Sequence, residues 1–214
     1  MITFSPEYML YAKALIGVLA IVNPLGAIPI FLSLCSGRTP AQCQQVAHRS
    51  AIAVAVILIL ATWAGDIILK FFGIGIPAFR VGGGLLILLM AINMMHARQC
   101  HTRQSPEEAE EADNRENIAV VPLALPLMAG PGAISLVIID AHQTANWSDR
   151  LILSAGIIIV AIAVWLALRI ATPISKKLGI TGLNIATRVM GLLLAAIGIQ
   201  MIASGLVKLL PGLG

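Results

Sequence analysis

The sequence predicts an all-α integral membrane protein with six transmembrane helices, built as two inverted-topology three-helix repeats whose first and fourth spans are broken. Three observations carry this prediction. The chain is 58% hydrophobic and only 11% charged, with a mean hydropathy of +0.93, whereas a soluble domain carries about 25% charged residues. The apolar residues form continuous runs near the ~20 residues that a hydrocarbon core requires, not the short alternating strands of a barrel. Two of the runs contain glycine and proline at mid-length, in corresponding positions of the two halves.

The runs cover residues 8–34, 47–68, 78–95, 118–139, 151–171 and 183–206. The N-terminus, Met1 to Lys13, lacks the basic region and cleavage site of a signal peptide, so the first run is expected to stay in the mature protein. It contains Asn23-Pro24-Leu25-Gly26-Ala27-Ile28-Pro29. The second carries Asp66 near its end, and Arg80-Val81-Gly82-Gly83 opens the third. The fourth contains Ala129-Gly130-Pro131-Gly132-Ala133-Ile134 and is followed at once by Asp140. The fifth lies between Arg150 and Arg169, and Arg188-Val189-Met190-Gly191 opens the sixth.

The halves echo one another. Pro24, Gly26, Ala27 and Ile28 match Pro131, Gly132, Ala133 and Ile134 with one residue deleted. Gly73-Ile74 precedes the third run as Gly179-Ile180 precedes the sixth. Three spans per half force the second half to enter from the opposite side, an architecture of secondary transporters. The repeats are expected at 1–95 and 118–214, joined by a linker at 96–117. That linker holds Glu107, Glu108, Glu110, Glu111, Asp113 and Glu116, an acidic run that reads as a solvated tether.

Lysine and arginine set orientation. Of the 14, one side holds nine: Arg38, Arg49, Arg98, Arg103, Arg115, Arg169, Lys176, Lys177 and Arg188. The other side holds five: Lys13, Lys70, Arg80, Arg150 and Lys208. Both termini are therefore expected outside. Cys35, Cys43 and Cys100 then fall in or beside cytoplasmic loops, where thiols stay reduced. His96, Cys100 and His101 read as incidental, so no metal or other cofactor is expected.

The broken spans carry the functional reading. Hydrocarbon offers no hydrogen-bond partner, so a helix break at mid-depth needs protein or a water-filled cavity around it. Asn is a preferred N-cap and Pro is favoured at the first helical position. Asn23-Pro24 and Gly130-Pro131 thus each read as a helix start inside an apolar span. The N–H groups of such a start form an anion site. The expected substrate-binding residues are Asn23, Pro24, Gly26, Pro29, Gly130, Pro131 and Gly132. Glycine lets backbone approach a ligand closely, and Pro29, Pro122 and Pro126 release carbonyls from the helix ladder. The residues flanking the breaks are apolar, so a zwitterion with a short neutral side chain fits.

Asp66 and Asp140 are candidates for ion coupling, since an acid in a membrane span is functional by default. Near a span end a carboxylate also pairs, and Asp66 with Arg80 is the expected pair. Lys13 and Arg188 read as interface anchors, and Gly82, Gly83, Gly84, Gly191 and Gly198 as helix-contact residues. Asn93 and Gln200 could line a cavity or bond a neighbouring helix.

At these motifs the chain resembles the MarC family of bacterial inner-membrane proteins. The resemblance covers nearly the whole length and rests on the segment from Asn23 to Pro29 together with Leu125-Pro126-Leu127-Met128-Ala129-Gly130-Pro131-Gly132-Ala133-Ile134. The family is similar to archaeal transporters of glycine and alanine. The resemblance implies movement of small neutral amino acids, with export among the options, across a bacterial inner membrane. The expected partners are that substrate and the lipid bilayer, with a homo-oligomer as a further option. An aquaporin-like channel, which also points two capped half-helices at the bilayer centre, is the alternative. No basic stripe with stacking aromatics suits nucleic acid. No phosphate loop suits a primary pump. No catalytic constellation suits an enzyme.

Overall fold

The structure, a computed structural model, describes residues 6–35, 37–95, 128–143, 146–210 and 212. Those residues form seven helices: α1 (Pro6–Val22), α2 (Pro24–Leu34), α3 (Pro40–Phe71), α4 (Ile76–Met95), α5 (Pro131–Gln143), α6 (Trp147–Arg169) and α7 (Ala171–Leu209). Among the described residues there is no strand. Among the described residues, five stretches are long and apolar enough to cross a membrane: Tyr11–Leu32, Pro40–Phe71, Ile76–Met95, Trp147–Arg169 and Thr181–Leu209. The fourth expected run is described only from Met128 onward. Its first part, with Pro122 and Pro126, lies outside the described residues, as do the acidic linker and His96, Cys100 and His101.

Helix ends follow local chemistry. The second span starts earlier than its apolar run because Thr39 and Gln42 build a capping box ahead of Pro40. The Gln42 N–H donates to Thr39 Oγ1 at 3.3 Å, and the Thr39 N–H donates to Gln42 Oε1 at 2.9 Å. This pairing satisfies two donors that a helix start leaves open. Gly73, between α3 and α4, has φ 67°, and Gly179, which kinks α7, has φ 64°. Glycine alone adopts this left-handed backbone without a Cβ penalty. The two Gly-Ile dipeptides noted in the sequence therefore each place a positive-φ glycine, one ahead of α4 and one ahead of the long arm of α7.

The spans pair across the halves, with α3 packing chiefly on α6 and α4 on α7. The α3 residues that turn inward, Ala47, Ala51, Val54, Leu58, Thr62, Gly65 and Leu69, recur at helical spacing. Ile52, Val56, Leu60 and Ile67 of the same helix face outward, as lipid contact requires. Short α5 is different. Gly132, Ala133, Ser135, Val137, Ile138, Ile139 and Ala141 are all buried, so it sits at the centre of the molecule. Small residues admit its neighbours: a Cβ on Gly83 of α4 would lie 2.5 Å from Ser135 Cβ, and one on Gly65 of α3 would collide with Ile138.

The α4–α7 contact is a glycine seam. A Cβ on Gly84 would lie 2.7 Å from the Gly198 carbonyl oxygen, and one on Gly198 would lie 2.8 Å from the Gly84 oxygen. Gly205 meets the Pro77 oxygen at 2.7 Å and Gly191 meets the Ala91 oxygen at 3.1 Å by the same measure. Gly191, Gly198 and Gly205 recur at seven-residue intervals, which keeps them on one face. Gly84, Gly191 and Gly198 are thus the helix-contact residues expected of them. Gly83 is a helix-contact residue too, against Ser135 of α5, whereas Gly82 faces nothing within 4 Å.

On the side of α2's C-terminus, Cys35 and Cys43 are free thiols. Burial, followed by its hydrogen bond with Cys43, pushes the Cys35 thiol up to about 12. Cys35 is therefore a protonated, unreactive thiol at neutral pH.

Candidate functional site

The first break occupies a single residue. Asn23 has φ 45°, a left-handed geometry that Asn tolerates better than most L-residues. The ladder holds on either side of the turn: the Asn23 N–H donates to the Leu19 carbonyl at 3.0 Å, and the Ala27 N–H to the Asn23 carbonyl at 3.3 Å. Pro24 then opens α2. The Asn23 side chain caps the new helix, its Oδ1 accepting from the Gly26 N–H at 3.2 Å. Its Nδ2 donates to Met94 Sδ at 3.9 Å, a weak, soft acceptor.

This arrangement explains the Asn-Pro-x-Gly spacing. A Cβ on Gly26 would collide with the Asn23 amide. The glycine makes room for the cap itself, where the sequence alone suggested room for a ligand. Pro29 lies within α2, which runs unbroken past it to Leu34. Pro24 has no N–H and the Gly26 N–H is taken, so Leu25 is the open donor of this first turn. Replacing Asn23 tests the cap and the left-handed turn separately. Asn23→Gly should cost a few tenths of a kcal/mol, because glycine accepts the φ and is a fair cap. Asn23→Val should cost about 2 kcal/mol, from a lost cap and a β-branched residue forced left-handed. Thermal unfolding in detergent measures both, and equal losses would remove the backbone argument.

The second break starts α5. Gly130 is buried, and its carbonyl accepts the Ile134 N–H at 3.1 Å. Gly130 therefore stands at the N-cap and Pro131 at the first helical position, as its sequence predicts. Gly has no side chain to cap with, so the Gly132 and Ala133 N–H groups are the donors of this start. Neither donates to another described residue. Both residues are buried. A Cβ on Gly132 would lie 2.8 Å from Ile87 Cγ1, 3.6 Å from Ile21 Cγ2 and 3.6 Å from Met90 Sδ.

The two starts thus converge on α4. Asn23 touches Met94, and Gly132 sits against Met90 and Ile87, on one face of that helix. Ile21, two residues before the first break, also reaches Gly132.

A cavity of about 500 Å³ opens beyond this pair, between α1, α4, α5, α6 and α7. Tyr11, Lys13, Arg80, Asp140, Gln143, Gln200 and Ser204 are its polar lining residues. Of its lining residues on α1 and α5, Gly17 and Leu136 lie nearest in sequence to the two breaks, and a Cβ on Gly17 would lie 3.2 Å from Leu136 Cδ2. Gly17 is six residues before Asn23, about 9 Å along the helix. Asp140 lines the cavity with its Oδ2 buried and without a hydrogen-bond partner. Gln200 therefore reaches the cavity, whereas Asn93 is exposed on α4. Lys13, expected as an interface anchor, also lines the cavity.

Asp66 has different partners from those expected. It does not pair with Arg80. Its Oδ2 accepts from Arg150 Nη2 at 2.8 Å and its Oδ1 lies 2.9 Å from His142 Nδ1. Nearby, Trp63 Nε1 donates to Ser154 Oγ at 3.1 Å and its ring stacks at a tilt on Trp147. The cluster clamps the end of α3 to the ends of α5 and α6. The partners lie 76 and 84 residues away, and no local pattern announces such a pairing. Both Asp66 oxygens are thus engaged, whereas the buried Asp140 Oδ2 has no hydrogen-bond partner.

These features define a multi-pass helical membrane protein with paired internal helix starts and a polar cavity among α1, α4, α5, α6 and α7. Comparison with known sequences places it within one family. The description "MarC family integral membrane protein" matches residues 8–210, and the chain belongs to the MarC family. It is 40% identical over 207 residues to the UPF0056 membrane protein YhcE of Escherichia coli, covering 97% of this chain and 96% of that one. It is 34% identical over 210 residues to a UPF0056 membrane protein of Aquifex aeolicus, covering 98% of each. A UPF0056 membrane protein of Methanocaldococcus jannaschii is 34% identical over 196 residues, covering 92% of this chain and 95% of that one. No solved structure matches the chain.

Proposed function

We propose that this protein is a secondary transporter of small neutral amino acids, such as glycine or alanine, working by alternating access around the paired helix starts. One observation carries the reading: two proline-started helices begin inside apolar spans and meet on one face of α4. Helix starts aimed at a membrane midplane are the means by which transporters bind a carboxylate without a basic side chain. The Gly132 and Ala133 N–H groups would take the substrate carboxylate, and the apolar walls would take a short side chain. Ile87, lying against Gly132, limits that side chain's size.

The repeat supports the same reading. Gly73 and Gly179 share a left-handed backbone before equivalent spans, and second packs on fifth as third packs on sixth. In this reading 1–95 and 118–214 are inverted repeats, 96–117 is the cytoplasmic linker, both termini are periplasmic, and the membrane is the bacterial inner membrane. The cavity at Asp140 then opens outward, and Leu136 against Gly17 closes it from the helix starts. Energy would come from an ion gradient or from exchange.

Counterflow in proteoliposomes tests the proposal. Labelled glycine or alanine should accumulate saturably against unlabelled substrate inside. No flux above empty vesicles, for any small neutral amino acid under either gradient, removes it. Non-saturating flux makes the protein a channel instead.

A further inference from the structure

Asp140 is out of balance with its surroundings. A buried carboxylate oxygen without a partner is costly, and native folds rarely leave one. Asp140 Oδ2 is such an atom. Cations are not scarce at this end of the molecule. Asp66 takes both Arg150 and His142, while Arg80 shares Asp140's cavity and acts on it through space. Among the described residues Arg80 and Asp140 form no ion pair. The fold keeps an acid and a base in one cavity without letting them meet.

The cavity's charge pattern describes its occupant. One carboxylate and two cations, Lys13 and Arg80, face a space of about 500 Å³, within the usual range for small-molecule sites. The rest of the wall includes Ala14, Gly17, Leu136 and Ile139, which offer nothing to a charged side chain. A molecule bearing an ammonium and a carboxylate close together satisfies both poles at once. A simple anion leaves Asp140 unpaired, and a simple cation meets Lys13 and Arg80.

We infer that this cavity is a recognition site for zwitterionic α-amino acids, with Asp140 holding the ammonium and Arg80 and Lys13 holding the carboxylate. It lies on the far side of the Gly17–Leu136 contact from the helix starts, so it is a separate, outer site. It deepens the transport reading by giving the substrate a first stop and an orientation. As a binding site it stands without flux.

Binding to the purified protein in detergent, by isothermal titration calorimetry, tests it with three probes: L-alanine, propionate and alaninamide. On the wild-type protein, each analogue should bind at least about tenfold more weakly than alanine, or 1.4 kcal/mol, because each lacks one charge-assisted contact. Asp140→Asn should weaken alanine and alaninamide and leave propionate unchanged. Arg80→Gln should weaken alanine and propionate and leave alaninamide unchanged. The analogue series on the wild-type protein needs no variant to fold. Equal binding of all three probes, or alanine affinity unmoved by Asp140→Asn, overturns the inference. The two readings fail separately. The crossed pattern without any counterflow keeps the site and removes transport. Counterflow with alanine binding indifferent to Asp140 keeps transport and removes the site.

Discussion

Gly198→Leu should take the protein apart. At Gly198 every near neighbour is close: a Cβ would lie 2.8 Å from the Gly84 oxygen, 3.0 Å from the Leu88 nitrogen and 3.3 Å from Leu88 Cβ. Two of these atoms are backbone and cannot rotate aside. The reverse position is as tight, with Gly84 facing the Gly198 oxygen at 2.7 Å and the Ile202 nitrogen at 3.0 Å. Adding one methyl forces the helices apart, and leucine adds three carbons more. Overpacking an interior costs about 1–3 kcal/mol, occasionally more. Here the loss extends along the whole seam, because Gly191 and Gly205 lie on the same face. Membrane helices associate through close packing, without a hydrophobic drive between them. We expect Gly198→Leu to yield little monodisperse protein by size-exclusion chromatography in mild detergent. Gly82→Leu is the control, since nothing lies within 4 Å of its Cβ, and it should behave as wild type. A Gly198→Leu protein with wild-type elution and melting temperature would refute the seam.

Gly130→Leu should abolish amino acid flux while the protein still inserts. Gly130 caps α5 through its carbonyl, and its neighbours Ala129 and Gly132 are buried with it. A leucine there would fill space beside the Gly132 and Ala133 donors and cover the α5 start. Leucine is also a far poorer N-cap than glycine, which adds about 1 kcal/mol of local instability. The flux should fall to that of empty vesicles, with the melting temperature lowered by only a few degrees for a loss of about 1 kcal/mol. Normal uptake by Gly130→Leu would place the substrate elsewhere. Asp140→Asn should behave differently, weakening apparent affinity more than maximal rate, because it acts at the outer site.

Some of this was legible in the chain itself. Asn-Pro and Gly-Pro announce helix starts because capping is local chemistry, complete within four residues. Gly73 and Gly179 stood out as an echo between the halves, and both have positive φ, a backbone that favours glycine. Gly191 and Gly198 suggested a contact, and Gly205 continues the same seven-residue interval, a signal that would have found it. Other features depend on the assembled molecule. Asp66 meets Arg150 and His142 rather than Arg80, because helix packing, not sequence proximity, decides which charges meet. Gly26 serves Asn23's own amide, a purpose visible only once that side chain folds back over α2. Asp140's isolation arises from five helices arranging a cavity around it. The span boundaries moved because caps and kinks, not the limits of apolar composition, end helices.

The seam has a mechanical consequence. It joins α4 from the first half to α7 from the second through main-chain atoms, so neither can swing without the other. Any rocking that exposes a substrate to the opposite side must treat those two as one stiff beam. The dividing line between stationary frame and moving part then runs across the two halves of the chain, not between them.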